Sequence, residues 1–271
     1  MIDIGVNLFH DNFPHPEKII SSAVAADIKA ILIITSEEED YYQNLQFCKN
    51  LSNNQIELLT TIGLHPHRAQ DKTDWIARTL KSLNSGDKKL IKAIGECGLD
   101  YYRMISPKEI QIKEFEKQIL LSQDYDLPLY LHERSAIDDM LSMISNLKQK
   151  KIIHCFTGGP EAAYQYLKQD CFFGISSWLC DPRRNQDLIN AIKIIPLEKI
   201  MLETDSPYLL PPAYYKKFKQ KINEPRFLSI IADKIAEIKN IPVNQVIDTT
   251  TQNSNCFFSF NKKSSQNYLA F

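Results

Sequence analysis

The residues best suited to chemistry in this sequence stand at the ends of short apolar segments. Four of the six histidines occur there, together with acidic and amide side chains. The full set comprises Asn7, His65, His67, Glu96, His132, Glu133, His154, Ser176, Ser177 and Asp205. Imidazoles and carboxylates from separate segments can surround one divalent ion, and buried charges need such a partner. Each residue alone is more often structural, but the set together favours a metal site.

The segments that carry these residues predict a parallel sheet. Eight of them have strand length and alternate with stretches of helical period. The predicted strands are Ile2–Val6, Ala30–Thr35, Glu57–Leu64, Leu90–Glu96, Leu127–His132, Lys151–Phe156, Cys171–Ser176 and Lys199–Asp205. The predicted helices are Glu17–Ala26, Glu37–Leu51, Asp74–Leu83, Pro107–Tyr125, Ala136–Leu147, Glu161–Lys168 and Asp187–Ile194.

Eight strands with intervening helices favour a closed barrel. We predict an α/β fold of the (β/α)8 TIM-barrel type, because the carboxyl ends of its strands meet on one face, where such enzymes place their chemistry. The chain has 271 residues, close to the roughly 250 that one barrel needs. We therefore predict a single domain over residues 1–271. An open doubly wound sheet is the alternative, since strand order cannot be inferred from one sequence.

Local signals predict how two helical regions begin and end. Ser106, Pro107 and Glu109 have the pattern of an N-cap, a first-turn proline and a capping-box acid, so they predict the start of the fourth helix. Beyond the last strand, the sequence predicts a loop over Pro211–Lys221 and two closing helices, Arg226–Lys239 and Val243–Phe260.

Composition limits the class of protein. Lysine plus arginine (32) nearly cancels aspartate plus glutamate (33), so any site for a polyanion must be local. No run approaches the roughly 18 apolar residues of a membrane span, and the amino-terminal segment does not resemble a signal peptide. The six cysteines form no CxxC pair and are expected to be reduced thiols. We expect a cytoplasmic, monomeric enzyme without a membrane segment.

Two cysteines neighbour candidate ligands. Cys97 follows Glu96, and Cys155 follows His154. Adjacent side chains on a strand point to opposite faces, so both thiols are expected to pack against the helices.

Seven motifs extend this pattern into a family resemblance. The sequence resembles the TatD family of metal-dependent deoxyribonucleases, within the amidohydrolase superfamily, from residue 2 to about residue 260. The motifs are Gly63-Leu64-His65-Pro66-His67, Gly95-Glu96-Cys97-Gly98-Leu99-Asp100-Tyr101, Leu131-His132-Glu133-Arg134, His154-Cys155-Phe156-Thr157-Gly158, Trp178-Leu179-Cys180-Asp181-Pro182-Arg183-Arg184, Glu203-Thr204-Asp205-Ser206-Pro207-Tyr208-Leu209 and Asn223-Glu224-Pro225.

The resemblance implies a TIM barrel that hydrolyses phosphodiester bonds, as a 3′–5′ exonuclease on single-stranded DNA or RNA, in DNA repair or degradation. It implies Mg2+ as cofactor, with Mn2+ next. The implied metal ligands are Glu96, His132, His154 and Asp205, and Glu96 could bridge to a second ion. Asp205 is the implied general base, and His65 matches a position that contacts the scissile phosphate, so Asp205, Glu96 and His65 form the expected catalytic set.

The first strand departs from the wider family. Most members begin with Asp-x-His-x-His, whereas this chain has Gly5 and Asn7 in place of the two histidines, a form that the TatD subgroup also carries. Glycine has no ligand atom and asparagine offers a neutral oxygen. One tightly bound ion is therefore expected, and a second ion is expected to join only with substrate, whose phosphate oxygens supply the missing ligands.

Loops on the same face are expected to bind the substrate. The expected contacts are Asn7, His65, His67, Arg134, Arg183 and Arg184. Loop aromatics in the same region could stack on unpaired bases, although such rings commonly pack over the end of the barrel instead; they are Phe9, Phe13, Tyr101, Tyr102, Trp178 and Tyr208. Two other functions remain as alternatives. One is a metal-dependent amidohydrolase acting on a small molecule, and the other is a nucleic-acid-binding barrel that has lost activity.

Overall fold

One sheet of eight parallel strands forms the centre of the molecule. The structure, a computed structural model, describes residues 1–53, 55–218 and 221–260. The strands are hydrogen-bonded in the order in which they occur in the chain. They are β1 (Ile2–Val6), β2 (Ala30–Ile33), β3 (Glu57–Ile62), β4 (Ile91–Asp100), β5 (Leu129–Arg134), β6 (Lys151–Ile153), β7 (Phe172–Ile175) and β8 (Ile200–Leu202).

The first strand closes the sheet against the segment that follows β8. Val6 forms a parallel bridge with Ser206. The backbone N–H of Asp205 donates to the Gly5 carbonyl at 2.9 Å, and that of Asn7 donates to the Ser206 carbonyl at 2.8 Å. The predicted (β/α)8 barrel is therefore confirmed, and the alternative of an open sheet is wrong.

Helices surround this barrel. They are α1 (Pro16–Ala25), α2 (Glu38–Leu51), α3 (Asp74–Ser82), α4 (Ser85–Leu90), α5 (Lys108–Tyr125), α6 (Ile137–Ile144), α7 (Pro160–Lys168), α8 (Gln186–Ile194), α9 (Pro212–Phe218), α10 (Ser229–Lys239) and α11 (Val243–Phe258). Within the described ranges, no helix combines the length and the apolar character that a membrane span requires. A single domain over residues 1–271 stays a prediction, and residues 261–271 lie outside the described part of the chain.

Alternation along β2 divides the core into two layers. Ile31 and Ile33 belong to a large apolar cluster, whereas Ala30 and Leu32 belong to a smaller one that includes side chains from β1, β5 and β8. Successive side chains of a strand point to opposite faces. The large cluster therefore packs under the helices and the small one fills the barrel, where Phe257 of α11 joins it.

Some boundaries inferred from sequence are wrong. Strands β6 and β8 end at Ile153 and Leu202, so His154 and Asp205 lie just past the strands rather than on them. Helix α9 occupies most of the predicted loop over Pro211–Lys221, of which positions 219 and 220 lie outside the described residues. Helix α4, absent from the prediction, is short and begins after the N-cap Asn84, whose side chain accepts the backbone N–H of Asp87.

The predicted cap of α5 is also wrong. The residue before its first turn is Pro107, and no side chain caps the helix. Ser106 is fully buried, and its hydroxyl donates to the carbonyl of His67 at 2.9 Å. A buried hydroxyl needs a hydrogen-bond partner, and this one finds it in the loop that carries two of the candidate histidines.

Candidate active site

Glu96 of β4 lies at the centre of a histidine cluster. Its Oε1 atom is 2.7 Å from His132 Nδ1, 2.9 Å from His154 Nε2 and 3.3 Å from His65 Nε2. Burial alone would raise the pKa of Glu96, but the three imidazoles outweigh burial and hold the pKa well below its usual value. An ionised carboxylate among imidazoles is a donor set that suits a divalent cation.

His65 presents a proton, rather than a lone pair, to Glu96. Its Nδ1 accepts the backbone N–H of His67 at 3.1 Å, so the proton of the neutral ring is on Nε2. Burial lowers the pKa of His65 to about 4. Ligand atoms of His65, Glu96 and His132 lie within 4.8 Å of one another. This tautomer nevertheless suits donation to a phosphate oxygen better than ligation of a metal.

His132 of β5 is held at both ring nitrogens. Nδ1 faces Glu96, and Nε2 lies 3.4 Å from Asp100 Oδ2. The same Asp100 oxygen is 2.7 Å from His67 Nε2. Burial acts to lower the pKa of His132, but the hydrogen bonds with Asp100 and Glu96 raise it. Asp100 therefore positions two of the candidate histidines, a role that the sequence did not predict.

His154, directly after β6, lies between two carboxylates. Nε2 faces Glu96, whereas Nδ1 lies 3.6 Å from Glu203 Oε1 and 3.4 Å from the hydroxyl of Tyr130. That hydroxyl donates to Glu203 Oε2 at 2.8 Å. A carboxylate behind an imidazole fixes the tautomer and orientation of a ligating histidine. His132 has the same arrangement, with Asp100 in the place of Glu203.

Two glycines and a backbone amide form the slot that holds Glu203. A Cβ atom on Gly174 would stand 2.6 Å from Glu203 Oε2, and one on Gly5 would stand 3.0 Å from that oxygen and 2.7 Å from the Tyr130 hydroxyl. The backbone N–H of Cys155 donates to Oε1. Gly5 therefore permits a close approach. The sequence missed Glu203, whose signal was a carboxylate two residues before Asp205 at the end of a strand.

Asp205 lies three residues past β8 and is in contact with the first strand. The side-chain amide of Asn7 donates to Asp205 Oδ1 at 3.3 Å and to the Ser206 carbonyl at 3.4 Å. Burial raises the pKa of Asp205 to about 7, the charge of His154 opposes this shift, and the charge of Glu203 adds to it. Asn7 thus holds one oxygen of the carboxylate that the family resemblance implies as general base.

Helix α5 fixes two of the loops from outside the barrel. The Gln118 side chain accepts the N–H of Leu64 at 2.8 Å and donates to its carbonyl at 3.1 Å. Gln111 forms the same pair of bonds with the backbone of Asp100, at 2.8 and 3.0 Å. Both glutamines are buried. Their seven-residue spacing places them on one helix face, which was the available sequence signal.

The arginines after β7 share one acidic partner. Arg183 Nη2 lies 2.7 Å and Arg184 Nε lies 3.0 Å from Asp181 Oδ2. The guanidinium of Arg184 also lies 3.6 Å from the centre of the Trp178 ring. These contacts offset part of the positive charge that was expected to bind the substrate.

The last two residues of β5, Glu133 and Arg134, have different roles. Glu133 accepts the N–H of Ala136 at 2.7 Å and the hydroxyl of Tyr166 at 3.1 Å, so it supports the start of α6. Arg134, the next residue, places its guanidinium 4.1 Å from the ring centre of Tyr102, a cation–π contact. Tyr102 is two-thirds exposed, and this pair presents both charge and a flat ring to solvent.

Cys155 faces the site, contrary to the prediction. Its sulfur lies 3.1 Å from the hydroxyl of Ser176, at the end of β7. Its φ of 43° is left-handed, and this conformation ends the alternation of the strand. Burial holds the pKa of the thiol well above its usual value. Cys97, in contrast, is buried in the large apolar layer, as predicted.

Comparison with known proteins gives the same family as the motifs. A family model described as "TatD related DNase" matches residues 2–259. A relative from Erwinia amylovora, named 3′-5′ ssDNA/RNA exonuclease TatD, is 33% identical over 263 residues, which cover 95% of this chain and 99% of the relative.

Solved structures agree over almost the full chain. A TatD family hydrolase from Entamoeba histolytica superposes with a TM-score of 0.83 at 27% identity, covering 96% of this chain and 98% of its own. A TatD homologue from Escherichia coli gives a TM-score of 0.84 with the same coverage at 22% identity, which supports the fold alone. The resemblance inferred from the motifs is confirmed, and the chain belongs to the TatD-related DNase family.

Proposed function

We propose that this protein is a divalent-metal-dependent 3′–5′ exonuclease that hydrolyses phosphodiester bonds in single-stranded DNA, with RNA as a second substrate. The observation that carries the proposal is the cluster around Glu96, where three imidazole nitrogens lie within 3.3 Å of one carboxylate oxygen. The Erwinia relative, which bears the name of such an exonuclease, supports the choice of substrate and polarity.

The donor set fits a divalent cation. Glu96 and Asp205 offer carboxylate oxygens, His132 and His154 offer imidazole nitrogens, and a buried carboxylate lies behind each imidazole. These four residues would hold the ion. Mg2+ suits carboxylates together with a substrate phosphate, and imidazoles favour Mn2+. We propose Mg2+, with Mn2+ as the alternative. When bound, such an ion neutralises charge on the phosphate and activates water.

The first strand supports one tight site rather than two. Gly5 offers no ligand, and the amide of Asn7 is engaged by Asp205 and Ser206. The volume next to Gly5 is filled by Tyr130 and Glu203. A second ion would therefore depend on oxygens that the substrate phosphate brings.

The chain's own residues divide the work of hydrolysis. Asp205 accepts the proton of the attacking water, as a carboxylate at the site can. Asn7 holds Oδ1 of Asp205, which leaves the second oxygen for that proton. His65 donates its Nε2–H to a phosphate oxygen when substrate replaces the contact with Glu96. His67, Arg134, Arg183 and Arg184 would bind further phosphates, positioning the strand without reading its sequence.

The test is cleavage of three substrates of one sequence: a 5′-labelled linear single strand, its circular form and a blunt duplex. We expect Mg2+-dependent shortening of the linear strand from its 3′ end, slower cleavage of the duplex and none of the circle. EDTA and Glu96→Ala should each abolish cleavage. Equal rates on circular and linear strands would disprove the end-dependent action. Binding without cleavage would favour the inactive barrel, and inertness toward all three substrates would favour a small-molecule hydrolase.

We also propose a monomer in the cytoplasm that acts in DNA repair or degradation. The six cysteines are all free, which suits a reducing compartment. Light scattering of the purified protein tests the oligomeric state, and the DNA-damage sensitivity of a strain lacking the protein tests the role in repair.

A further inference from the structure

A cavity of about 290 Å³ opens beside the candidate general base. It is formed by the loops that follow β1, β2 and β8. Asn7 lines this cavity and also donates to Asp205 Oδ1. Tyr208 lines it from the other side, and the Tyr208 N–H donates to the Asp205 carbonyl at 3.0 Å. The cavity therefore begins where the reaction would take place.

The cavity has the size and the walls of a site for one nucleoside. Its volume is near the lower end of small-molecule sites, which span roughly 300–1,000 Å³. Phe9, His10 and Tyr208 supply flat rings, and the Tyr208 ring is about half exposed and meets His10 edge-on at 5.2 Å. Unpaired bases stack on aromatic rings of this kind.

The charge on the walls disfavours a phosphate. Asp11, Glu37 and Asp40 line the cavity, and Glu37 is paired with Arg68. The described residues of the lining include no lysine or arginine. A phosphate group placed there would face carboxylates without a lining cation, whereas an uncharged base and sugar would not be repelled.

We propose that this cavity binds the 3′-terminal nucleoside of the strand and makes cleavage end-dependent. The proposal rests on the exonuclease function proposed above. The scissile phosphate meets Asp205 and His65, the terminal base stacks on Tyr208, and the acidic wall rejects a strand that continues. Water attacks the phosphorus, and the bond to O3′ of the penultimate nucleotide breaks. That oxygen takes up the proton that Asp205 accepted from the water, and a 5′-mononucleotide leaves.

The first test compares two 5′-labelled single strands that differ at the terminus, one with a 3′-hydroxyl and one with a 3′-phosphate. Wild-type protein should cleave the 3′-hydroxyl strand at least about tenfold faster in single-turnover reactions. Asp11→Asn combined with Asp40→Asn should reduce this ratio toward one, because the repelling charges are gone. Asp124→Asn, an exposed change of the same charge on α5, should leave the ratio unchanged.

Equal wild-type rates on the two strands, or an unchanged ratio in the double variant, would overturn the proposal that the acidic wall rejects a strand that continues. Failure to cleave either strand would overturn the exonuclease function and the subsite with it, so the two failures are distinguishable.

The second test removes the base instead of the charge. A strand that ends in an abasic nucleotide should be cleaved about fivefold more slowly, or slower still, as expected for the loss of one stacked base. Tyr208→Ala should slow cleavage of the normal strand, and the abasic terminus should then cost little more. If the Tyr208→Ala substitution and the abasic terminus slowed cleavage by independent factors that multiply, the base would not stack on Tyr208. That result would overturn the assignment of the subsite.

Discussion

Gly5 and Glu203 are in direct contact inside the barrel. A side-chain carbon on residue 5 would lie 3.0 Å from Oε2 of Glu203. Glu203 in turn lies next to Nδ1 of His154 and accepts a hydrogen bond from the hydroxyl of Tyr130. The absence of a histidine at position 5 is therefore coupled to the carboxylate that orients a proposed metal ligand.

Substitution of Gly5 should destabilise the fold. We expect Gly5→Ala to lower the free energy of unfolding by about 1–3 kcal/mol, the usual cost of overpacking a dense core. Urea denaturation measures this loss. Gly86→Ala is the control, because Gly86 lies exposed in α4 and an added Cβ there would approach a single flexible side chain. Wild-type stability of Gly5→Ala would contradict the contact.

The same contact predicts that the family's histidine pair cannot simply be restored. We expect Gly5→His combined with Asn7→His to lose stability and to gain no second tight metal site, because Tyr130 and Glu203 occupy the volume that the new imidazole needs. Titration of the metal-free variant with Mn2+ measures the stoichiometry. Two tight ions in a stably folded variant would refute this expectation.

The barrel could be predicted because each strand corresponds to a short apolar run in the sequence. Contacts between residues that are distant in the sequence could not be predicted in this way. Glu96 lies in the carboxyl-terminal half of β4 and His154 directly follows β6, and this fold brings the carboxyl ends of its strands together. Asp100 ends β4 and Glu203 directly follows β8, but their roles depend on which imidazole nitrogen they face. Ser106 illustrates the reverse error. Local sequence rules predict that it caps α5, but its hydroxyl donates instead to the carbonyl of His67, a residue distant in the sequence.

Metal binding and proton transfer should separate by mutation. Glu96→Ala should lower both Mn2+ affinity, measured by calorimetry, and nuclease activity, because the central carboxylate is lost. Asp205→Asn should keep most of the affinity yet lose about 100- to 10,000-fold in rate, the range that a general base contributes. Glu116→Ala, on the exposed face of α5, is the control. Substantial turnover by Asp205→Asn at neutral pH would reject Asp205 as the base.

Asp3 should make the fold less stable as pH rises. Burial raises its pKa to about 8, against opposing hydrogen bonds from Thr204 and Gly5. The folded state therefore retains a proton that the unfolded state releases near pH 4. This contribution is fully present below that pH and is lost as pH rises through about 8, with a slope of at most about 1.4 kcal/mol per pH unit.

Urea denaturation between pH 6 and 9 measures this dependence. The asparagine variant Asp3→Asn cannot ionise, so the stability difference between wild type and variant should change in favour of the variant as pH rises. The surface variant Asp124→Asn should show no such trend relative to wild type. A pH-independent difference between wild type and Asp3→Asn would mean that Asp3 is ionised in the folded protein.

The arginines should differ in their contribution to binding the strand. Asp181 already neutralises part of Arg183, whereas Arg134 contacts the ring of Tyr102. We expect Arg134→Ala to weaken binding of single-stranded DNA more than Arg183→Ala. Each phosphate contact adds about 0.7 to the slope of log affinity against log salt for a single strand. Loss of Arg134 should reduce the slope by about that amount, and loss of Arg183 by less.

Fluorescence anisotropy in the Asp205→Asn background measures both slopes, with Arg78→Ala on the exposed side of α3 as control. If Arg134→Ala matches that control, Arg134 does not contact the strand, and its cation–π pair with Tyr102 is structural.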